Sequence, residues 1–543
     1  MGKSVLHNLK SKIFLYGPPG SGKSTLGIKL AESLRLPFYD LDEHIQSEAG
    51  MTIPEIFQEE SEAGFRRREK AQLEKVLTKD WGVIALGGGA MLDAASQKMA
   101  SSAGPVLCLA APFETLLARL AATSEERPLL VTNVADRDLG AGLRALLAQR
   151  SEHYATFPLQ LDTSSADTAS LVWEAQILLG TFHVSSMASS AGGIPEDPRG
   201  LGYDVRVQAG GLPALGEALR VRGLRGPIAL VSDENVAALH LHRPLKSLHE
   251  AGYPSQPIVV PAGEDSKDIS TLTFLWEAFL EMGLERGSTV VALGGGVVGD
   301  LAGFAAASYK RGVPWVAAPT TLLAMADSSL GGKTGIDLRQ GKNLVGAFHA
   351  PRLVLSDPNT LDTLPEEELR AGLAEVVKAG IIGDPALFNK CAEGWEAVQS
   401  DWDEVVRRAM AVKIRVIEAD PFEHGPRAAL NLGHTVGHAV EMAANFAMKH
   451  GQAVAIGMVV EAHLAERVGL AEKGLAEEIA GVLRGLGLPT EVPAGLDKRA
   501  ILEGMQVDKK RAGGKVRFAL PVRVGEVRVG VEVEHLSELE EVW

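Results

Sequence analysis

The sequence predicts an α/β protein in two parts. The first part is built on a parallel sheet, and the second has an α/β region followed by a mostly helical region. Residues 13–16 form a short apolar run that leads through a glycine-rich loop into a helical pattern. From Tyr203 onward strand-like and helix-like segments alternate, and beyond Pro365 the pattern is mostly helical. This alternation is typical of parallel sheets covered by helices.

Composition limits the classes of protein. A chain of 543 residues exceeds the size of one hydrophobic core, so two or three domains are expected. The net charge is -15 and no long basic run occurs, which argues against nucleic-acid and membrane partners. Cys108 and Cys391 lie far apart, which argues against a disulfide framework and favours the cytoplasm. No signal peptide or membrane-spanning run of about 18 apolar residues is expected.

The loop GPPGSGKST at residues 17–25 has the pattern of a P-loop. Its glycines let backbone amides surround phosphate, and the amino end of the following helix adds partial positive charge. Lys23 would reach the outer phosphates and Ser24 would hold Mg²⁺. The strand before the loop and the helix after it argue against a chance match. The predicted ATP-binding residues are Gly17, Gly20, Gly22, Lys23, Ser24 and Thr25.

Charged residues follow the P-loop at positions suited to substrate and metal. Asp40 and Asp42 lie on the same side of an extended segment, where one could meet Mg²⁺ and the other a substrate hydroxyl; a solvated strand end is the alternative. Arg66 and Glu69 have helical spacing, and a later strand leads into three glycines at 87–89. Arg127 lies in a polar segment typical of a mobile lid.

With these motifs, residues 1 to about 175 resemble shikimate kinase, a small P-loop phosphotransferase of the nucleoside-monophosphate-kinase type. The resemblance implies catalytic roles for Lys23 and for Arg127, which would close on the phosphates, and a Mg²⁺ site at Ser24 and Asp40. The segment RSEHY, which begins at Arg150, lacks the proline that relatives carry two residues after the arginine. The shikimate-binding residues implied are Asp42, Arg66, Gly88, Gly89 and Arg150.

A segment rich in Ser, Ala, Gly and Pro at residues 185–200 predicts a linker. We therefore expect a first domain at 1–180, a linker at 181–200, an α/β part at 201–360 and a helical part at 361–543.

Two glycine-rich stretches follow in the α/β part. The loop GGGVVGD at 294–300 stands between a strand and a helix, where glycines let the backbone approach a pyrophosphate. Its spacing is not GxGxxG, so alone it is weak evidence for a dinucleotide. The stretch ADSSLGGKTGIDLRQGKN holds Asp327, Lys333, Lys342 and Asn343. It is either a site for an anion or a flexible charged loop.

The helical part holds a candidate metal site. In NLGHTVGH, His434 and His438 lie one helical turn apart, so the spacing alone favours both imidazoles on one metal or anion. A surface or core histidine pair is the commoner explanation of that spacing. His450 follows nearby, and Glu375 lies three residues before Lys378, a spacing usually explained by a surface ion pair. One carboxylate and two imidazoles from separate helices would form a zinc-type site.

Residues from about 200 to 543 resemble 3-dehydroquinate synthase, since GGGVVGD, TTLLAMADSSLGGKT, GKN, GLAEVVK and NLGHTVGH occur in that order. The resemblance implies oxidation of a ring alcohol by bound NAD, phosphate elimination, reduction that regenerates NAD, ring opening and aldol closure. Zn²⁺ or Co²⁺ would be held by Glu375, His434 and His450. His438 and Asn431 would instead face the substrate. A homodimer formed through this half is also implied.

The resemblance also implies residue roles. Catalytic residues would be Asp327, Lys333, Lys378 and His438. The substrate-binding residues would be Arg311, Lys333, Asn343, Lys378, Lys413, Arg427, Asn431 and His438, with Lys509 or Lys510 as a further cation. The NAD-binding residues would be Asp233, Glu264, Lys267, Gly296, Val297, Val298, Gly299, Asp300, Thr320, Thr321, Lys333 and Lys342.

The whole chain thus resembles a bifunctional shikimate kinase and 3-dehydroquinate synthase. Two alternatives stay open. The second half could be another sugar-phosphate cyclase or a glycerol-dehydrogenase-like enzyme that releases NADH. The first half could be a nucleotide-binding module without catalysis.

Overall fold

The computed structural model describes residues 11–79, 81–122, 138–164, 167–185, 202–421, 425–445, 447–511 and 516–533. The chain divides into two compact units, Met1–His183 and Val184–Trp543. Most of the predicted linker lies outside the described residues, although its first residues form strand Thr181–Val184. Among the helices that the structure describes, none is both long enough and apolar enough to cross a membrane.

The first unit is built on a five-stranded sheet. Its strands are β1 (Ser11–Tyr16), β2 (Phe38–Asp40), β3 (Trp81–Ala85), β4 (Val106–Ala110) and β5 (Leu159–Asp162). The strand order is β2-β3-β1-β4-β5, and every pairing is parallel. Its helices are α1 (Lys23–Leu34), α2 (Leu41–Ala49), α3 (Ile53–Leu77), α4 (Ala94–Ala103), α5 (Phe113–Ala121), α6 (Leu139–Ala155) and α7 (Thr168–Leu179).

Strand β1 lies in the middle of the sheet, and both of its faces are covered. Ile13 and Leu15 pack into the core that α1 and α7 complete. Phe14 and Tyr16 point to the other face, into a core that includes Leu73 of α3. A parallel strand buried on both faces reads as a continuous apolar run, which is why residues 13–16 were recognisable in the sequence. The carboxyl end of β1 leads directly into the glycine loop.

The second unit is built on a larger sheet. The remaining strands are β6 (Thr181–Val184), β7 (Tyr203–Val207), β8 (Arg225–Asp233), β9 (Ser255–Val260), β10 (Ser288–Gly294), β11 (Trp315–Pro319), β12 (Lys333–Leu338), β13 (Gly341–Phe348), β14 (Leu353–Ser356), β15 (Arg517–Arg523) and β16 (Glu526–Glu532). The division between the two units falls within β6. Seven strands take the order β6-β7-β14-β11-β10-β8-β9. Strands β12 and β13 form an antiparallel hairpin, as do β15 and β16.

The helices of this unit fall into an α/β set and a helical set. The first set is α8 (Leu215–Val221), α9 (Glu234–His240), α10 (His242–Glu250), α11 (Ile269–Glu281) and α12 (Gly296–Ser308). The second set is α13 (Glu366–Gly383), α14 (Pro385–Ala392), α15 (Trp395–Gln399), α16 (Trp402–Ala419), α17 (His434–Ala443), α18 (His450–Arg467), α19 (Leu475–Gly485) and α20 (Lys498–Arg511). Val436 of α17, Ile456 of α18 and Ile501 of α20 share one core with Phe518 of β15. The predicted fold class is confirmed.

Candidate active sites

The glycine loop of the first unit has the backbone that a P-loop requires. Gly17 has φ 137° and Gly22 has φ 88°. A Cβ atom on Gly17 would lie 2.3 Å from the carbonyl oxygen of Leu109, so only glycine fits. Lys23 Nζ donates to the carbonyl oxygens of Gly17 and Pro18, at 3.0 Å each. The amino group is therefore held over the loop at the start of α1.

A hydroxyl and a carboxylate meet beside this loop. Ser24 Oγ donates to Asp40 Oδ2 at 2.6 Å. The other oxygen, Asp40 Oδ1, accepts from the backbone N–H groups of Asp42 and Glu43 at the start of α2, which fixes the side chain. Ser24 and Thr25 are both exposed. Hydroxyl and carboxylate oxygens are ligands that Mg²⁺ prefers, so this pair fits the cation.

The glycines after β3 bring the predicted substrate residues next to the P-loop. A Cβ atom on Gly89 would lie 2.7 Å or less from the guanidinium of Arg66. One on Gly87 would lie 3.1 Å from Asp42 Oδ1, and one on Gly88 would lie 3.2 Å from Gly17 O. Both sets of predicted residues therefore lie close together at the carboxyl ends of β1 and β3.

Arg150 reaches the same loop from α6. Its Nη1 donates to Gly88 O at 3.2 Å, and Tyr154 donates to the same oxygen at 2.7 Å. Arg150 is only 6% exposed, and its Nε has no hydrogen-bond partner among the described residues. A buried guanidinium N–H without a partner fits an anionic group of a ligand.

Two residues of this site had little or no signal in the sequence. Glu69 is 3% exposed, and its Oε2 accepts from Arg66 at 2.6 Å. Burial raises the pKa of Glu69 to about 7, although Arg66 acts in the opposite direction. Its helical spacing from Arg66 was the available signal. Arg119 of α5 donates to Gly20 O at 3.4 Å and to Thr163 O at 2.6 Å. No local pattern in the sequence indicated these two contacts. Arg127 lies outside the described residues.

In the second unit, the turn from β10 to α12 leaves room for a ligand next to backbone amides. The crevice at this end of β10 is lined by Gly294, Gly295, Gly299, Asp300, Ser328 and Lys333, among others. A Cβ atom on Gly299 would meet nothing within 4 Å. Thr320 is buried, and its Oγ1 has no hydrogen-bond partner among the described residues. A helix amino end and an unpaired buried hydroxyl fit a pyrophosphate-containing cofactor such as NAD.

Charged residues from three segments meet beside this crevice. Lys267 Nζ donates to Asp300 Oδ2 at 2.7 Å and also to Asn343 Oδ1. Lys342 Nζ lies 3.7 Å from Glu264 Oε1. These contacts bring residues predicted for NAD next to Asn343, which was predicted for the substrate.

The remaining residues predicted for NAD are placed as follows. Val297 and Val298 are in the first turn of α12, and Val298 packs against Gly294, so only its backbone is available to a ligand. Thr321 Oγ1 accepts from Ala324 N at 3.1 Å. Asp233 caps α9 by accepting from Asn235 N at 2.9 Å. Their contacts with NAD stay predictions.

Two ion pairs lie next to the candidate metal site. Lys413 Nζ donates to Asp327 Oδ1 at 2.5 Å. Lys378 pairs with Glu375 and donates to Leu430 O at 2.9 Å. Burial raises the pKa of Asp327, but Lys413 and Lys378 together lower it, and the net shift is downward. Each of these two predicted lysines is therefore paired with a carboxylate in the site.

Glu375, His434 and His450 converge from three helices. The Nε2 atoms of His434 and His450 lie 3.6 and 3.7 Å from Glu375 Oε1. This oxygen is buried and has no hydrogen-bond partner among the described residues. One atom from each residue lies within 4.8 Å of the others. The unpaired oxygen and the two imidazoles fit a divalent cation such as Zn²⁺.

The protonation of the two imidazoles differs. His434 Nδ1 lies 3.2 Å from Leu432 O, which leaves Nε2 for the metal. Burial, reinforced by Lys378, lowers the pKa of His434 to about 3. Burial also opposes protonation of His450, but Glu375 and Glu441 raise its pKa to about 10. His434 is thus neutral, as a metal ligand must be.

Helix α17 begins at His434 because of its neighbours on α18. Gly433 has φ 78°, and a Cβ atom there would lie 2.7 Å from Val454 O. Glu461 accepts from Gly433 N at 2.5 Å and from Val436 N at 3.3 Å, so a buried carboxylate caps the helix. Burial raises the pKa of Glu461 to about 8. No local pattern in the sequence indicated Glu461, since it lies 28 residues from Gly433.

The other predicted substrate residues vary in their placement. His438 is exposed, with its ring centroid 5.2 Å from that of His434. Arg427 is buried, and its Nη2 would lie 2.7 Å from a Cβ on Gly331. Exposed Asn431 ends the 3-10 segment Pro426–Asn431. Arg311 is exposed on the turn after α12, and its link to this site stays a prediction. The side chains of Lys509 and Lys510 lie outside the described residues.

Three family models match the chain. The shikimate kinase model matches residues 19–177. The model of the 3-dehydroquinate synthase N-terminal part matches residues 257–371, and that of the C-terminal part matches residues 372–511.

Individual relatives agree with the family models. A 3-dehydroquinate synthase of Symbiobacterium thermophilum is 47% identical over 337 residues, which cover 61% of this chain and 94% of the relative. One of Pelobacter propionicus is 44% identical and covers 62% of this chain and 95% of the relative. A solved 2-epi-5-epi-valiolone synthase of Streptomyces hygroscopicus subsp. jinggangensis, with NAD+ and Zn²⁺ bound, is 31% identical. The match covers 63% of this chain and 95% of the valiolone synthase chain, with a TM-score of 0.56.

Proposed function

The chain belongs to the 3-dehydroquinate synthase family and also carries a shikimate kinase domain, and from this premise we propose two reactions, each assigned to its own unit. The first unit transfers the outer phosphoryl group of ATP to shikimate and forms shikimate 3-phosphate. The second unit converts 3-deoxy-D-arabino-heptulosonate 7-phosphate into 3-dehydroquinate and releases phosphate. The protein is a bifunctional enzyme of the shikimate pathway.

The kinase assignment is supported by the contact of two loops. The P-loop and the glycines after β3 approach each other at Gly17 and Gly88, so a phosphate donor and an acceptor held by these loops would be neighbours. Lys23 would bind the outer phosphates, and Ser24 with Asp40 would hold Mg²⁺. Arg66 and Arg150 would bind the carboxylate of shikimate, and Asp42 one of its hydroxyls. Arg127 would close over the phosphates.

The observation that carries the synthase assignment is the unpaired oxygen of Glu375 between two imidazoles. Glu375, His434 and His450 would hold Zn²⁺ or Co²⁺, and the turn from β10 to α12 would hold NAD. When bound, the cation polarises a substrate oxygen and NAD accepts and returns a hydride.

Residues of the chain itself orient the substrate and move its protons. Lys378, Lys413 and Arg427 would bind its anionic groups, and Asp327 would keep Lys413 in place. Lys333 lines the crevice at the cofactor turn, where it would reach both ligands. His438 is exposed next to the metal ligands, where its imidazole could take up and return a substrate proton.

The identities bear on the rival cyclase reaction. The chain is 47% identical to the dehydroquinate synthase of Symbiobacterium but 31% identical to the valiolone synthase, which supports the heptulosonate as substrate. We expect turnover of the heptulosonate phosphate and none of sedoheptulose 7-phosphate, without accumulation of NADH. Turnover of sedoheptulose 7-phosphate alone would assign the second unit to the other cyclase, and steady release of NADH would assign it to a dehydrogenase.

Treatment with a strong chelator, followed by dialysis and return of Mg²⁺ alone, separates the two activities. We expect the kinase to recover and the synthase to recover only after Zn²⁺ or Co²⁺ is added. Failure of the kinase to act on shikimate while ATP binds would instead make the first unit a binding module.

We also propose a homodimer formed through the second unit, in the cytoplasm. Leu344 and Phe348 of β13 are 53% and 52% exposed, which is typical of side chains that another protein surface covers. Sedimentation of the full chain at two concentrations tests this.

A further inference from the structure

Two carboxylates face one imidazole ring from opposite sides. His450 Nε2 lies 3.7 Å from Glu375 Oε1, and His450 Nδ1 lies 3.3 Å from Glu441 Oε2. His450 therefore belongs to two groups that could hold a cation: Glu375 with His434, and Glu441 with His438. The mechanism described above uses the first group and gives Glu441 no role.

The two candidate cation-binding groups differ in how deeply they are buried. Glu375 is 2% exposed and its Oε1 has no partner among the described residues, whereas His438 is exposed. An imidazole that binds a metal through one nitrogen carries a proton on the other, and this N–H needs an acceptor. Glu441 Oε2 lies within hydrogen-bond distance of Nδ1 and can be that acceptor. Nε2 is then the nitrogen left for a metal on the side of Glu375.

The position of Glu441 on α17 suits this role. Glu441 is seven residues after His434, so both side chains lie on the same face of the helix, two turns apart. His434 points to the metal group, while Glu441 reaches the first residue of α18. One helix thus supplies one ligand and also orients the other.

We propose that Glu441 is a positioning residue that fixes the Nδ1–H tautomer and the ring orientation of His450, so that Nε2 completes the metal site with Glu375 and His434. The proposal rests on the metal-dependent function proposed above. It assigns Glu441 an indirect role, with no contact to the metal or the substrate.

The test compares three variants of the full-length protein: Glu441→Ala, Glu441→Gln and, as matched control, Glu503→Gln, which changes an exposed carboxylate of α20. Zinc affinity is measured by competition with a chromophoric chelator, so no activity is needed. We expect Glu441→Ala to bind Zn²⁺ roughly 10- to 100-fold more weakly than wild type. Glu441→Gln keeps an acceptor oxygen and should recover most of the affinity. The control should match wild type.

The visible absorption spectrum of the Co²⁺-loaded protein is the second readout, because it reports ligand geometry and not fold stability. We expect a changed spectrum for Glu441→Ala and a spectrum close to wild type for Glu441→Gln. Wild-type affinity and spectrum in Glu441→Ala would overturn the proposal.

Two further results have separate meanings. If Glu441→Gln loses zinc as fully as Glu441→Ala while Glu375→Gln keeps it, Glu441 is itself a ligand and the proposal is wrong. If wild type binds no zinc at all, the proposed metal-dependent function is what fails. Circular dichroism identifies a variant that does not fold, and Glu441→Gln then provides the comparison.

Discussion

The hydroxyl of Ser24 donates a 2.6 Å hydrogen bond to the carboxylate of Asp40. This bond connects the first turn of α1 to the carboxyl end of β2, next to the loop over which Lys23 is held. A cation bound there would lie near the outer phosphates of ATP. We therefore expect the pair to be essential for the kinase activity and not for the synthase activity.

Replacing Asp40 tests this pair. In Asp40→Asn the charge that neutralises Mg²⁺ is lost, while the amide oxygen can still cap α2. We expect kinase kcat to fall roughly 100-fold or more and the Mg²⁺ requirement to rise, with synthase activity unchanged. Titration of kinase rate against Mg²⁺ measures both effects. Asp167→Asn, which changes another N-cap at the start of α7, serves as the control. Equal effects of the two substitutions would show that Asp40 acts only as a cap.

Replacing Lys23 tests the independence of the two activities. Lys23→Ala removes the cation that would bind the transferred phosphate, so we expect a loss of roughly 100-fold or more in kinase rate. The synthase should keep its wild-type rate, since its proposed site lies in the other unit. Both rates are measured on the same preparation. A matching loss of synthase activity would refute the independence.

Separate replacements of His434 and His438 distinguish a ligand from a proton carrier. His434→Ala removes an imidazole aimed at Glu375, so tightly bound metal should be lost. His438→Ala should keep the metal and lower kcat by roughly 100-fold, as expected for loss of an acid or base. Metal content, measured by mass spectrometry, and kcat are compared for the two variants to distinguish these roles. Equal loss of metal in both variants would instead favour two histidines of one helix on the same cation.

The stability of the first unit should depend on pH through Glu69. Burial raises the pKa of this carboxyl to about 7 in the folded protein, above its ordinary value of 4.5. The folded state therefore binds the proton more tightly than the unfolded state. The stability that this proton contributes is present below pH 4.5 and is lost as the pH rises through about 7. The slope is at most about 1.4 kcal/mol per pH unit.

Glu69→Gln should remove this dependence. Relative to wild type, the variant should become more stable as the pH rises from about 5 to about 8. Urea unfolding of the full-length chain, followed by hydrogen exchange in β1 and β3, measures the difference. Glu62→Gln changes the exposed partner of Arg66 and serves as control. A pH-independent difference would show that Arg66 keeps Glu69 ionised throughout.

Local patterns in the sequence were sufficient for the α/β fold class and for the motifs. The apolar run of β1 and the glycine loop predict a strand, a turn and a helix because each depends on residues adjacent in the chain. The same holds for His434 and His438, whose placement one turn apart follows from helical spacing alone. The family resemblance, and not the spacing, predicted that Glu375 and His450 join His434.

Apart from the family resemblance, only the tertiary structure decided which side chains meet. Glu375 meets His434 and His450 because three helices pack around it, and Glu461 caps α17 from α18. Arg119 reaches the P-loop across 99 residues of chain. Contacts at such separations depend on how helices and strands pack, which residue spacing along the chain does not encode. The sequence by itself therefore determined the elements and the chemical groups, while packing determined which of those groups share a site.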